Sequence, residues 1–160
     1  NLRALGTWLP RAELPRVDLA VEMRPVPRRN LRGLSGRARL IERSYTEPVA
    51  PGRHDLVLFS YALSMFNPGW DDALESACRD LAPGGVLAVV DFHDTPSPAF
   101  RDWMGFNHVR MEGHLLPWLE RRTRRIGCRV RRAYGGLWRY FQYLGTRPRP
   151  AADIGVRWRD

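Results

Sequence analysis

The sequence contains no lysine: all 26 of its basic residues are arginine, set against 17 acidic residues for a formal net charge of +9. A bias of this kind can record GC-rich coding as much as a selected surface, so the charge alone does not name a partner. Cysteine is nearly as scarce. Cys78 and Cys128 stand far apart in no CxxC or Cys/His spacing, which excludes a disulfide framework and a zinc site and leaves two small core residues. Long hydrophobic runs are missing too. No stretch approaches the roughly 18 apolar residues that cross a bilayer, and no charged-then-apolar leader precedes a cleavage site, so a soluble, cytoplasmic chain is expected.

What is present is enough for one ordinary core: 160 residues at 44% hydrophobic content. Short apolar runs alternate with amphipathic stretches. Residues 15–19 read as the end of a strand, 20–33 as a poor helix interrupted by Pro25 and Pro27, 38–43 as a second strand and 54–60 as a third. The spacing of Ala73, Leu74, Ala77, Cys78 and Leu81 predicts a helix over 70–81, opened by Asp71 and Asp72 and closed by Pro83-Gly84-Gly85. The run VLAVVDF, residues 86–92, then reads as a parallel strand covered on both faces. Strands alternating with helices predict a parallel α/β sheet. Beyond residue 95 the pattern predicts helices over 98–103 and 112–125, followed by an antiparallel hairpin of strands 128–134 and 137–144 joined at Gly135-Gly136. The tail, 147–160, is Pro/Arg-rich and expected to be poorly ordered.

Three segments in order, VDLAVEM, HDLVLFSYALSMF and LAPGGVLAVVDF, resemble class I S-adenosylmethionine-dependent methyltransferases over about residues 1–146. The resemblance implies an α/β, Rossmann-like methyltransferase sheet, mostly parallel with an antiparallel C-terminal hairpin, and S-adenosyl-L-methionine as cofactor. It also shows a departure. The family's first strand and its Gly-x-Gly-x-Gly loop are not in this sequence, which opens at Asn1-Leu2-Arg3-Ala4-Leu5 as though the first helix were under way. The missing strand would be central, between the strand ending at Asp18 and strand 54–60, so the reading is of a partial, N-terminally truncated methyltransferase domain.

On that resemblance Asp18 meets the ribose hydroxyls, Leu19 and Met23 flank the adenine, and Ser44 and Tyr45 stand where relatives bind the adenine amine. Asp18 also fits a helix N-cap, and Leu19 and Met23 equally fit a core. Phe59, Ser60 and Tyr61 lie at the carboxyl end of their strand, the edge where open α/β sheets bind ligands, so Phe59 and Ser60 join the cofactor set and Tyr61 the catalytic one. His93 and His114 follow as candidates for orienting the acceptor or taking its proton. Their spacing matches no metal motif, and no metal is expected.

The segments FSYALSMF, DFHDTPSPAFRDWM, NHVRMEGH and YGGLWRYFQYLG are most similar to N-methyltransferases that act on the homoserine head group of betaine lipids. That implies a lipid or small-molecule substrate. A helix carrying Arg121, Arg122, Arg124 and Arg125, with Arg129, Arg131 and Arg132 beyond it, suits peripheral contact with an anionic membrane. The same cluster suits nucleic acid, so an RNA-directed methyltransferase or nucleic-acid-binding protein stands as an alternative. The missing glycine loop admits a third reading, an inactive remnant or partner subunit.

Overall fold

The computed structural model describes residues 7–18 and 38–147. They fall into two compact units, residues 1–47 and 48–160. The expected helix over 20–33, the first helix around Asn1 to Leu5 and the tail from 148 lie outside the described residues.

In the first unit, strands β1 (Leu14–Asp18) and β2 (Ala38–Glu42) form a parallel pair, with Leu14 opposite Ala38 and Asp18 opposite Glu42. Both strands end at one carboxyl edge, as the sequence pattern predicts.

The second unit holds a four-stranded mixed sheet in the order β3, β4, β6, β5. Strand β3 (His54–Ser60) runs parallel to β4 (Leu81–Asp94), and β6 (Trp138–Thr146) runs antiparallel both to β4 and to β5 (Arg124–Ala133). Between β3 and β4 come a 3-10 turn, Leu63–Met65, and helix α1 (Trp70–Asp80). Helices α2 (Pro98–Phe106) and α3 (Leu115–Arg122) fill the stretch between β4 and β5. Helix α1 buries Ala73, Leu74 and Ala77, the face that its periodicity predicts. At its last residue the buried Asp80 accepts from the amides of Val49 and Ala50, both at 2.8 Å, which fixes the approach to β3. Two charge-assisted bonds offset the cost of a buried carboxylate at the negative end of a helix.

Side chains alternate across β4. Leu87, Val89 and Asp91 are buried, while Val86, Ala88 and Val90 are half-buried. The buried face continues into Phe141 and Tyr143 of β6 and is covered by α1 and α3. Those two helices meet through Trp70 against Trp118 and an Arg122–Glu75 ion pair of 2.9 Å, and the Tyr143 hydroxyl pairs with that of Thr123 at 2.8 Å, directly after α3. The other face departs from the expectation of cover on both sides. Leu56, Leu58 and Leu144 are exposed there, with Leu58 and Leu144 bordering a shallow cavity of about 460 Å³, and among the described residues the buried apolar faces of α1 and α3 are both spent on the first side.

Three further expectations are corrected. Pro83-Gly84-Gly85 does not separate helix from strand but lies inside β4, which begins directly after α1. The helix expected over 112–125 ends at Arg122, so Arg124 and Arg125 lie on the edge strand β5 instead of a helix face, joining Arg129, Arg131 and Arg132, which the sequence pattern already places on a strand. Thr123 is extended, with its hydroxyl turned back on the Leu119 carbonyl at 2.9 Å, and this closes the helix. A row of exposed arginines on an edge strand also discourages pairing with another chain. Neither cysteine is a core residue in full. Both are half-buried, and burial pushes the Cys78 thiol up to about 11.

Candidate functional site

Because β3 and β4 are parallel, their carboxyl ends meet at one edge, and the register sets Ser60 beside Val90. The chain leaves β3 at Tyr61, held at a φ of 51° in the left-handed region that non-glycine residues seldom adopt, with its amide on the Val90 carbonyl at 2.8 Å. Ala62, Leu63 and Ser64 then turn their amides toward a single acceptor. The buried Asp91 carboxylate takes them at 3.0, 2.8 and 3.4 Å, the Ser64 hydroxyl at 2.6 Å and its neighbour Phe92 N–H at 2.8 Å. Burial pushes the Asp91 carboxyl above its ordinary value, against the opposing pull of Ser64 and the backbone amides. Reading by residue type singled out no role for Asp91. An acid inside the apolar run VVDF was the signal that could have found it.

Segment 107–114 is fastened to the same loop. The Arg110 amide donates to the Ser64 carbonyl at 2.9 Å, the Asn67 side-chain amide donates there at 2.6 Å, and the Gly113 amide donates to the His93 carbonyl at 2.7 Å. Segment 107–114 thus packs onto the carboxyl edge.

The three residues singled out for chemistry occupy separate places around this edge. Tyr61 is 41% exposed and meets Phe92 edge-on, with ring centres 5.0 Å apart. Burial, then Tyr140 and Asp91, raise its phenol, so it stays protonated at neutral pH and serves as a donor. His93 follows Phe92 on the strand and points to the opposite face, packing on Phe141 at 6.1 Å. Its Nδ1 is buried with no partner and its Nε2 lies 3.9 Å from an Asp94 carboxylate oxygen. His114 begins α3 against Trp70, ring centres 4.9 Å apart, and both its nitrogens are buried without partners. Burial lowers both histidines, so both are neutral near pH 7.

Of the cofactor set, Phe59 is 6% exposed and shares the face of its register partner Val89, which makes its ring core. Ser60 is half-buried at the strand end. In the first unit Ser44 is exposed and Tyr45 buried, directly after β2. Asp18 closes β1, while Leu19 and Met23 lie outside the described residues. Among the described residues no group of three or more His, Cys, Asp or Glu could hold a metal ion, and no helix is long and apolar enough to cross a membrane.

Beyond Tyr61 an aromatic strip runs along the edge. Phe92 meets Trp138 at 6.1 Å, and Trp138 stacks on Tyr134 at 4.4 Å and on Phe100 at 5.6 Å. Phe92, Phe100 and Trp138 rest in turn on Met104, Val109 and Met111.

No protein-family model matches this chain, and no curated protein matches it. Solved structures do. The geranyl diphosphate C-methyltransferase of Streptomyces coelicolor superposes with a TM-score of 0.73 at 11% identity, over 92% of this chain and 66% of that one. The N-methyltransferase NodS of Bradyrhizobium japonicum gives 0.65 at 16% identity, over 85% and 67%. The S-adenosylmethionine-dependent methyltransferase SibL gives 0.66 at 22% identity over 91% of this chain, which spans only 46% of SibL. The fold is therefore the Rossmann-like methyltransferase α/β fold with a mixed sheet.

Proposed function

We propose that this chain acts in S-adenosylmethionine-dependent methylation of an amine on a lipid head group or small molecule. The observation that carries the reading is the joined carboxyl edge of β3 and β4 in a methyltransferase fold, where Tyr61, the Asp91-bound loop and the 107–114 segment come together. NodS is itself an N-methyltransferase and was crystallised with S-adenosylhomocysteine.

The residues present fit the cofactor. Asp18 and Glu42 are register partners at the carboxyl ends of β1 and β2, and acidic residues at such positions suit donors such as ribose hydroxyls and an adenine amine. In the first unit Asp18, Ser44 and Tyr45 are the candidates to hold it, and in the second unit Ser60 is. When bound, S-adenosylmethionine supplies a methyl group on a sulfonium, ready for direct displacement. The protein's part is alignment and exclusion of water. Tyr61, protonated, donates to an acceptor heteroatom, and neutral His93 takes the proton from the amine. The aromatic strip favours a cationic amine through its ring faces.

Calorimetric titration of this chain and of an N-terminally longer chain with S-adenosylmethionine tests the cofactor. No binding by either would discard the methyltransferase reading. Mass-spectrometric detection of methyl transfer to diacylglyceryl homoserine in mixed micelles tests the acceptor, and turnover only on a soluble phenol would discard the amine.

The exposed arginine row of β5 supports a second reading, contact with a polyanion such as RNA or an anionic membrane. A steep loss of RNA affinity between low and physiological salt is its mark.

A further inference from the structure

At the far end of the aromatic strip lies a cavity of about 400 Å³, lined by Asp94, Thr95, Arg132, Gly135, Gly136 and Arg139. Its charges do not balance. Arg132 and Arg139 are direct register partners across the β5–β6 ladder, an arrangement in which like charges repel. Asp94 neutralises only one of them: its two oxygens take the Nε and Nη2 of Arg139 as a fork. A third guanidinium, Arg101, donates to the Thr95 carbonyl at 3.2 Å and adds its field to that of Arg139 on the Asp94 carboxylate. The Arg132 guanidinium has neither an ion pair nor a hydrogen bond among the described residues. One carboxylate, Asp94, lines the cavity against two guanidiniums, Arg132 and Arg139, which leaves one positive charge uncompensated at a concave surface, where low-dielectric walls strengthen its pull.

The shape agrees with the charge. Gly135 and Gly136, at φ of 66° and 98°, hold conformations that side chains resist, and Gly136 faces the Arg132 stem. That corner therefore presents bare backbone, open to close approach by a ligand. Asp94 occupies two of the five N–H groups of Arg139, so others remain for a second acceptor.

We propose that this cavity binds an oxyanion, a phosphate or carboxylate, on Arg132 and the free N–H groups of Arg139, and that the oxyanion is the anchoring group of the methyl acceptor. The acceptor role rests on the methyltransferase reading; the oxyanion site does not. The ring contacts from Tyr134 through Trp138 and Phe92 to Tyr61 then form the wall along which the acceptor's body lies, its anion at one end and its reacting atom at the other.

The test is titration of the full chain, followed by NMR at the Gly135 and Gly136 amides and the arginine Nε–H signals. The probes are inorganic phosphate, homoserine, and vesicles of phosphatidylcholine with and without phosphatidic acid. Saturable shifts are expected with phosphate or homoserine, and their order identifies the oxyanion. Retention only on vesicles containing phosphatidic acid identifies a lipid-borne phosphate. Arg132→Gln is expected to weaken binding about tenfold and Arg132→Lys less, because the point charge survives and the fork does not. Asp94→Asn is expected to tighten binding, because it frees Arg139. Opposite signs from Arg132→Gln and Asp94→Asn are the signature, with thermal midpoints confirming that each variant is folded. Absence of saturable binding to every probe, or equal affinity in Arg132→Gln and the parent, overturns the proposal. Oxyanion binding without S-adenosylmethionine binding would instead overturn the methyltransferase reading and leave the site standing.

Discussion

The Asp91 carboxylate and the Ser64 hydroxyl lie 2.6 Å apart, and this bond closes the clamp that shapes the loop after β3. Asp91→Ala would leave that hydroxyl and the backbone amides around it without their acceptor in a buried place. Loss of about 3 kcal/mol is expected, against about 1 kcal/mol for Ser64→Ala, which removes one bond of the set. Urea unfolding of both variants measures the difference. Equal, small losses would mean that water takes over the carboxylate's role.

The clamp also shows where reading the sequence succeeded and stopped. Strands β1 to β4 and helix α1 were legible because their signals are local, as in the apolar run of 56–59 and the helical spacing of Ala73, Leu74 and Ala77. The edge at Ser60 and Tyr61 followed from strand polarity. Asp91 gathering amides from 62–64 was not legible, since the partners are separated by the whole of α1. The stretch 112–125 failed for a related reason. Its charge pattern fits a helix, yet Arg124 and Arg125 pair with Thr146 and Gly145 of β6, a tertiary ladder that outweighs local preference.

His114 separates packing from chemistry. Both ring nitrogens are buried without partners, so His114→Phe keeps the contact with Trp70 and removes two unsatisfied polar atoms. Stability at pH 7 is expected to hold or rise by up to about 1 kcal/mol. The pH dependence gives the sign. Burial depresses the folded-state pKa, so the unfolded chain takes up the proton first, and stability present above about 6.5 is lost as the pH falls. The variant should flatten that part of the curve, as read by unfolding at several pH values.

Asp94 acts in a more acidic window. Its hydrogen bonds to Arg139 hold the carboxyl below the ordinary range, so the stability they contribute is full above about pH 4 and disappears as the folded-state group is protonated. The pair is partly exposed, so solvent screening keeps the effect to about 1 kcal/mol or less. Asp94→Asn should remove this acid limb, and added salt should weaken the limb in the parent protein.

Gly145 is a packing constraint with no role at the edge. A Cβ there would sit 2.6 Å from the Thr123 hydroxyl oxygen and 2.7 Å from the Tyr143 ring, the two groups that hold α3 to the sheet. Gly145→Ala should therefore cost about 1–3 kcal/mol, typical of overpacking. Calorimetric melting checks it, and an unchanged midpoint would mean that Tyr143 can move aside freely.

Tyr61 tests the proposed chemistry most directly, because its hydroxyl and its ring make separable contributions. The ring leans on Phe92, while the raised phenol pKa keeps the hydroxyl a donor through neutral pH. Tyr61→Phe should preserve the ring contact and the melting temperature yet lower kcat for methyl transfer by about 10- to 100-fold, the scale of one lost hydrogen bond in a transition state. Tyr61→Ala should also raise KM, since it removes the first ring of the aromatic wall. The phenol should add no ionisation to the rate profile below pH 9. A rate that climbs with pH through that range in the parent but not in Tyr61→Phe would instead identify a phenolate base.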